Sequence, residues 1–210
     1  MPGLIHGLEP DKIAANLERV REHAGSGVEI LAATKYVPLE EMGALAEAGV
    51  ELVGENRLQE LEAKHARWGD GFVWDFIGNL QSRKVKRILP LCRLVHSVFT
   101  DSALEQLARH GEPDTEVLVE VNVAAEEGKG GIAPADLAAF VERCPVHVGG
   151  LMTMPPFSTD PEDSRPHFAR LAELATEHGL SRLSMGTSQD WPVAVEEGAT
   201  IVRLGTALFI

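Results

Sequence analysis

The chain has 210 residues, of which 44% are apolar, and carries 32 acidic against 19 basic side chains for a net charge of −13. Such an acidic surface argues against nucleic acid and anionic lipid as partners. No stretch reaches the roughly 18 consecutive apolar residues that span a bilayer, and the first ten residues lack the pattern of a secretory leader. The two cysteines, Cys92 and Cys144, are read as reduced thiols of a cytoplasmic protein with no disulfide framework.

In chain order, the first helix is predicted over 9–24, where Ile13, Leu17, Val20 and Ala24 recur at helical spacing before Gly25. Eight short apolar runs follow: 29–35, 51–56, 74–79, 94–98, 116–122, 146–153, 183–186 and 201–205. Each ends near a polar or glycine residue. Helices are predicted between them at 38–47, 57–68, 81–91, 101–110, 134–143, 161–178 and 188–197, with Asp101 as an N-cap and Gly111 and Gly179 as stops. The strands are continuous apolar segments rather than alternators, as in Val117-Leu118-Val119, which favours a parallel sheet buried on both faces. Eight such units close into one (β/α)8 TIM barrel, an α/β fold, with an extra N-terminal helix. A single domain, 1–210, is expected. The chain stops just after the eighth run, so no eighth crossover helix is expected, and the N-terminal helix fills that gap.

Barrels of this kind place chemistry at the carboxyl ends of their strands, and commonly bind phosphate on the loops after strands seven and eight. Here those loops read Ser184-Met185-Gly186-Thr187-Ser188 and Arg203-Leu204-Gly205-Thr206-Ala207. The glycines allow close backbone approach, Thr187, Ser188 and Thr206 supply hydroxyls, and free amides at a helix start favour an anion. Lys35 ends the first apolar run, where a pocketed amine can form a Schiff base. A lysine facing a phosphate cradle across a barrel is the layout that pyridoxal phosphate requires. Arg203 sits just below the cradle; a permanently charged guanidinium at the pyridine nitrogen leaves the ring a weaker electron sink. Two long loops, 124–133 and 155–161, border the same face. The cluster Arg83, Lys84, Lys86 and Arg87 departs from the acidic trend and reads as a solvated helix face.

With these residues in place, the chain resembles the pyridoxal phosphate homeostasis proteins over nearly its whole length. The resemblance rests on Ala33-Thr34-Lys35, Gly54-Glu55-Asn56-Arg57-Leu58-Gln59-Glu60, Phe76-Ile77-Gly78-Asn79-Leu80-Gln81-Ser82-Arg83-Lys84, Gly150-Leu151-Met152-Thr153-Met154 and the two glycine turns. It implies a fold-type III barrel like the N-terminal domain of alanine racemase, with pyridoxal 5'-phosphate held by Lys35 as an internal aldimine. It implies phosphate contacts from Ser188, Gly205 and Thr206, beside Thr187, and Arg203 at the pyridine nitrogen. Asn56 lies in the turn beside the cofactor, and Lys129 is a transient acceptor in the loop after strand five. Asp75, Asn79 and Arg83 replace the His, Pro and Asn common in the family.

The expected function is cofactor homeostasis without strong catalysis, as a monomer, with pyridoxal phosphate-dependent apo-enzymes as recipients and no metal. The alternatives are an amino-acid racemase or decarboxylase and, without the cofactor, a Schiff-base aldolase. Racemisation needs proton donors on both faces of the substrate. The sole tyrosine, Tyr36, follows Lys35 directly; on a strand it would point away from the pocket. No second domain is expected to close the site.

Overall fold

The structure, a computed structural model, describes residues 3–210. Eight parallel strands close into a barrel in sequential order: β1 (Glu29–Ala33), β2 (Leu52–Glu55), β3 (Val73–Phe76), β4 (Leu94–Val98), β5 (Glu116–Glu120), β6 (His147–Met152), β7 (Arg182–Thr187) and β8 (Ile201–Leu204). β8 pairs with β1 to complete the ring. The helices are α1 (Pro10–Ala24), α2 (Met42–Glu47), α3 (Leu58–Trp68), α4 (Val85–Ile88), α5 (Asp101–His110), α6 (Leu137–Arg143), α7 (Arg165–Glu177), α8 (Trp191–Glu196) and α9 (Thr206–Phe209).

Every predicted strand is present, most of them shorter than the apolar run that marked them. Several predicted helices instead begin with a 3-10 turn: Leu39–Glu41 before α2, Pro134–Asp136 before α6 and Pro161–Ser164 before α7. The segment predicted as one helix over 81–91 is broken into three pieces. Pro90 removes a backbone donor there. The N-cap of α5 is Thr100, whose hydroxyl accepts from the Ala103 N–H at 3.2 Å, rather than Asp101, which is the first helical residue. The expected absence of a helix after β8 is also corrected: α9 makes one turn there. α1 does lie beside it, and Asn16 Nδ2 donates to the Leu208 carbonyl at 3.0 Å.

The apolar side chains form two bodies. Leu31, Leu52, Leu94, Leu118, Met152 and Ile201 fill the barrel interior. The larger body lies between the strands and the helices, where Val53, Val117 and Val202 meet Ile13 and Leu17 of α1, Leu107 of α5 and Phe168 and Leu171 of α7. This alternation explains the continuous apolar runs, since both faces of each strand are covered. The amino end of the barrel is closed by charge. Arg182 donates to Glu116 Oε1 at 2.8 Å and to Glu29 Oε2 at 3.1 Å, and Arg93 bridges Glu29 to the buried Asp75. Among the described residues no helix is long and apolar enough to cross a membrane.

Candidate functional site

At the carboxyl ends of the strands lies a cavity of about 350 Å³. Its wall includes all seven residues singled out from the sequence: Lys35, Asn56, Thr187, Ser188, Arg203, Gly205 and Thr206. A wider cleft of about 510 Å³ opens at the opposite end beside α1, lined in part by Glu18, Glu22, Glu29 and Glu51. That acidic lining is unsuited to an anion, and it contains none of the seven.

β1 stops at Ala33, so Lys35 sits in a turn rather than on a strand; Val37 N–H closes it on the Thr34 carbonyl at 2.9 Å. The turn is held from behind. Buried Lys64 of α3 donates to the Thr34 carbonyl at 2.9 Å and to Glu55 Oε1 at 2.5 Å, and the Thr34 hydroxyl donates to the same oxygen at 2.6 Å. Lys35 itself is exposed and borders the cavity. Because the backbone turns here, strand alternation does not apply, and the expected exclusion of Tyr36 is wrong. Tyr36 lines the same cavity, and Lys35 Nζ lies 4.9 Å from the centre of its ring. The N-terminal segment adds to this wall: Ile5 N–H donates to the Tyr36 carbonyl at 2.8 Å.

Asn56 follows β2. The β3 segment approaches it so closely that a Cβ on Gly78 would stand 2.1 Å from the Asn56 carbonyl oxygen, so only glycine fits. The Asn56 side-chain oxygen is buried and has no hydrogen-bond partner among the described residues.

Across the cavity the register of β7 and β8 shifts between Ser184 and Thr187. Gly186 occupies the left-handed region there with φ +88°, and a Cβ would strike Ala194 at 2.6 Å. Asp190 shapes the turn that follows, accepting from Thr187 N–H at 2.7 Å, the Thr187 hydroxyl at 3.1 Å and the Ser164 hydroxyl at 2.8 Å. The Ser188 hydroxyl oxygen accepts from Gly205 N–H at 3.0 Å and Ala207 N–H at 3.1 Å, which ties the two glycine turns together.

Arg203 of β8 is buried and, among the described residues, has no carboxylate within ion-pair distance. It donates to Ser184 Oγ at 2.5 Å, the Thr153 carbonyl at 2.9 Å and Met154 Sδ at 2.8 Å. Burial lowers its pKa to about 10, partly opposed by Glu120 and Asp190, so it stays charged at neutral pH. The same burial raises the Glu120 carboxyl above its usual range.

The wall therefore carries two cationic side chains and no carboxylate in a chain of net charge −13. With the hydroxyls of Thr187, Ser188, Thr206 and Tyr36, two glycine turns and an amide oxygen unpartnered among the described residues, these groups fit a small anion that also bears a carbonyl and a flat polar ring. Lys129 stands outside this wall. It pairs with Glu126 and donates to the Pro155 carbonyl at 3.1 Å, joining the two long loops. Asp75, one of the three departures, points into the barrel; Asn79 is not part of the cavity wall, and Arg83 bonds Gln81 on the surface. Sequence reasoning missed Asp190, which falls within the helix predicted over 188–197 and does not line the cavity.

The family description "Alanine racemase, N-terminal domain" matches residues 8–210. A pyridoxal phosphate homeostasis protein of Aquifex aeolicus is 40% identical over 95% of this chain and 96% of its own length. The chain belongs to the pyridoxal phosphate homeostasis protein family. PipY of Synechococcus elongatus, solved with pyridoxal phosphate bound, superposes with a TM-score of 0.82 at 32% identity, covering 94% of this chain and all of PipY. Alanine racemase of Corynebacterium glutamicum shares the fold, with a TM-score of 0.76 at 17% identity, and the match covers 96% of this chain and 60% of the enzyme.

Proposed function

We propose that this chain binds pyridoxal phosphate in the cavity above β1, β2, β7 and β8 and serves to hold and release it. When bound, the cofactor supplies an aldehyde that condenses reversibly with an amine and a pyridine ring whose electron demand follows the charge at its nitrogen. The observation that carries the reading is the convergence of Lys35 and the glycine turns on one wall free of carboxylates. The membership of relatives named for pyridoxal phosphate homeostasis supports it over an aldolase.

In this reading Lys35 presents the amine and the Ser188 and Thr206 hydroxyls hold the phosphate, while Thr187 and Gly205, whose N–H groups are engaged by Asp190 and Ser188, shape the cradle around it. Arg203 directs an N–H toward the ring nitrogen and, being charged, disfavours a proton there. Asn56 offers its free amide oxygen to the ring substituents. Water reaches the exposed Lys35, so release by hydrolysis needs no large rearrangement.

The chain is proposed as a carrier rather than an efficient racemase. Lys35 and Tyr36 come from one turn and one side of the cavity, whereas racemisation needs proton donors on opposite faces. A single barrel acting as a cytoplasmic monomer, with apo-enzymes as recipients, completes the proposal. Titration of the protein with pyridoxal phosphate tests it. A visible absorption band that saturates, and is lost in Lys35→Ala, is expected; a protein that stays colourless contradicts the reading and favours the aldolase.

A further inference from the structure

A line of buried polar groups runs through the barrel to the cavity. Asp75, His96 and Ser184 are all fully or almost fully buried, and each comes from a different strand. Arg203 NH1 donates to Ser184 Oγ at 2.5 Å, Ser184 Oγ lies 2.8 Å from His96 Nδ1, and His96 Nε2 lies 3.0 Å from Asp75 Oδ2. Arg93 then grips Asp75 with two N–H groups, at 3.0 and 2.8 Å.

The protons can be placed by elimination. Arginine only donates, so the Ser184 oxygen accepts from it and the serine proton is free for His96 Nδ1. The Asp75 carboxylate only accepts, so His96 donates to it from Nε2–H, and the neutral imidazole accepts at Nδ1 from the Ser184 hydroxyl. Burial holds His96 neutral by pushing its pKa down. Arg93 and the Asp75 carboxylate thus set the direction of every bond up to Arg203.

We infer that Asp75, acting through His96 and Ser184, is a positioning residue that orients the Arg203 fork toward a ligand ring in the cavity. This deepens the pyridoxal phosphate reading and rests on it. Arg203 has five N–H donors. One is taken by Ser184 and two by the Thr153 carbonyl and Met154 sulfur, so two remain for the cavity. Without the Ser184 acceptor only the amino group held by Thr153 and Met154 stays anchored, and the angle the fork presents to the ring nitrogen is less tightly fixed. The departure at position 75 thereby has a role: a carboxylate there fixes which imidazole nitrogen carries the proton.

Nitrogen-15 spectra of the histidine-labelled, ligand-free chain read the tautomer directly. His96 is expected neutral with its proton on Nε2. A proton on Nδ1, or on both nitrogens, overturns the column alone. Uptake of pyridoxal phosphate by Ser184→Ala gives the second arm. A shifted visible maximum and release faster by about threefold or more are expected, as for loss of one net hydrogen bond. Ser184→Thr, which restores the hydroxyl, is expected to return the parent maximum. A folded Ser184→Ala with the parent's maximum and release rate overturns the inference. A parent chain that takes up no pyridoxal phosphate overturns both this inference and the function on which it rests.

Discussion

Lys35 and Tyr36 stand on the same wall of the cavity, with the lysine Nζ 4.9 Å from the tyrosine ring centre. An amine and a phenol on one wall can serve one face of a bound amino acid, not two. Loaded protein mixed with L-amino acids in deuterated water is expected to show only slow exchange at the α-carbon, and Tyr36→Phe to leave that rate unchanged. Fast exchange with conversion to the D-isomer, lost in Tyr36→Phe, would establish a racemase. Tyr36→Ala removes an exposed cation–π contact worth about 0.5–1 kcal/mol, so its effect on cofactor affinity should stay within about fivefold.

Asp190 should matter although it does not line the cavity. It holds both the N–H and the hydroxyl of Thr187, and its second oxygen is committed to Ser164. Losing hydrogen bonds to a charged acceptor costs about 1.5–3 kcal/mol. Asp190→Ala is expected to weaken pyridoxal phosphate binding by about tenfold or more in an absorbance titration, with Asp190→Asn milder. Unchanged binding in Asp190→Ala would remove the Thr187 turn from the phosphate site.

Acid should destabilise the fold through His96. Its imidazole is held below its ordinary value of 6.5 by burial, so the unfolded chain takes up this proton first. The contribution is present above about pH 6.5 and is lost as pH falls, at no more than about 1.4 kcal/mol per pH unit. For Asp75, burial alone would raise the carboxyl, but hydrogen bonds from His96 and Arg93 outweigh it and lower its pKa, so it acts in the same direction at more acidic pH. Glu120, raised by burial, opposes both, because its neutral form is favoured in the fold. The difference in Tm between the parent and His96→Gln isolates the histidine. That difference should shrink from pH 7.5 to about 5.5, and a constant difference would contradict a buried neutral imidazole.

Lys129 fastens loop 124–133 to loop 155–161 from outside the cavity wall. Lys129→Ala is expected to speed cofactor release by about twofold to fivefold, as for an exposed pair, while leaving the site of covalent attachment unchanged. Stopped-flow measurement of the visible band checks this. An unchanged rate removes Lys129 from the release step.

The barrel was legible because each strand is covered on both faces, so eight apolar runs stand out against polar loops. The phosphate turns were legible because their glycines and hydroxyls are contiguous in sequence. What failed did so where the backbone leaves regular geometry: β1 ends two residues before Lys35, and the turn brings Tyr36 to the side that strand alternation denied it. The Asp75–His96–Ser184 column was invisible because His96 and Ser184 are 88 residues apart and each sits inside an apolar run. Only barrel closure brings them together.

Attachment at Lys35 is the point on which the proposed function turns. The full chain is incubated with pyridoxal phosphate, reduced with borohydride, digested and mapped by mass spectrometry. A pyridoxyl phosphate adduct on the peptide containing Lys35, and on no other lysine at equimolar cofactor, is expected. An adduct confined to Lys64, Lys129 or another lysine, or none at all, would contradict it.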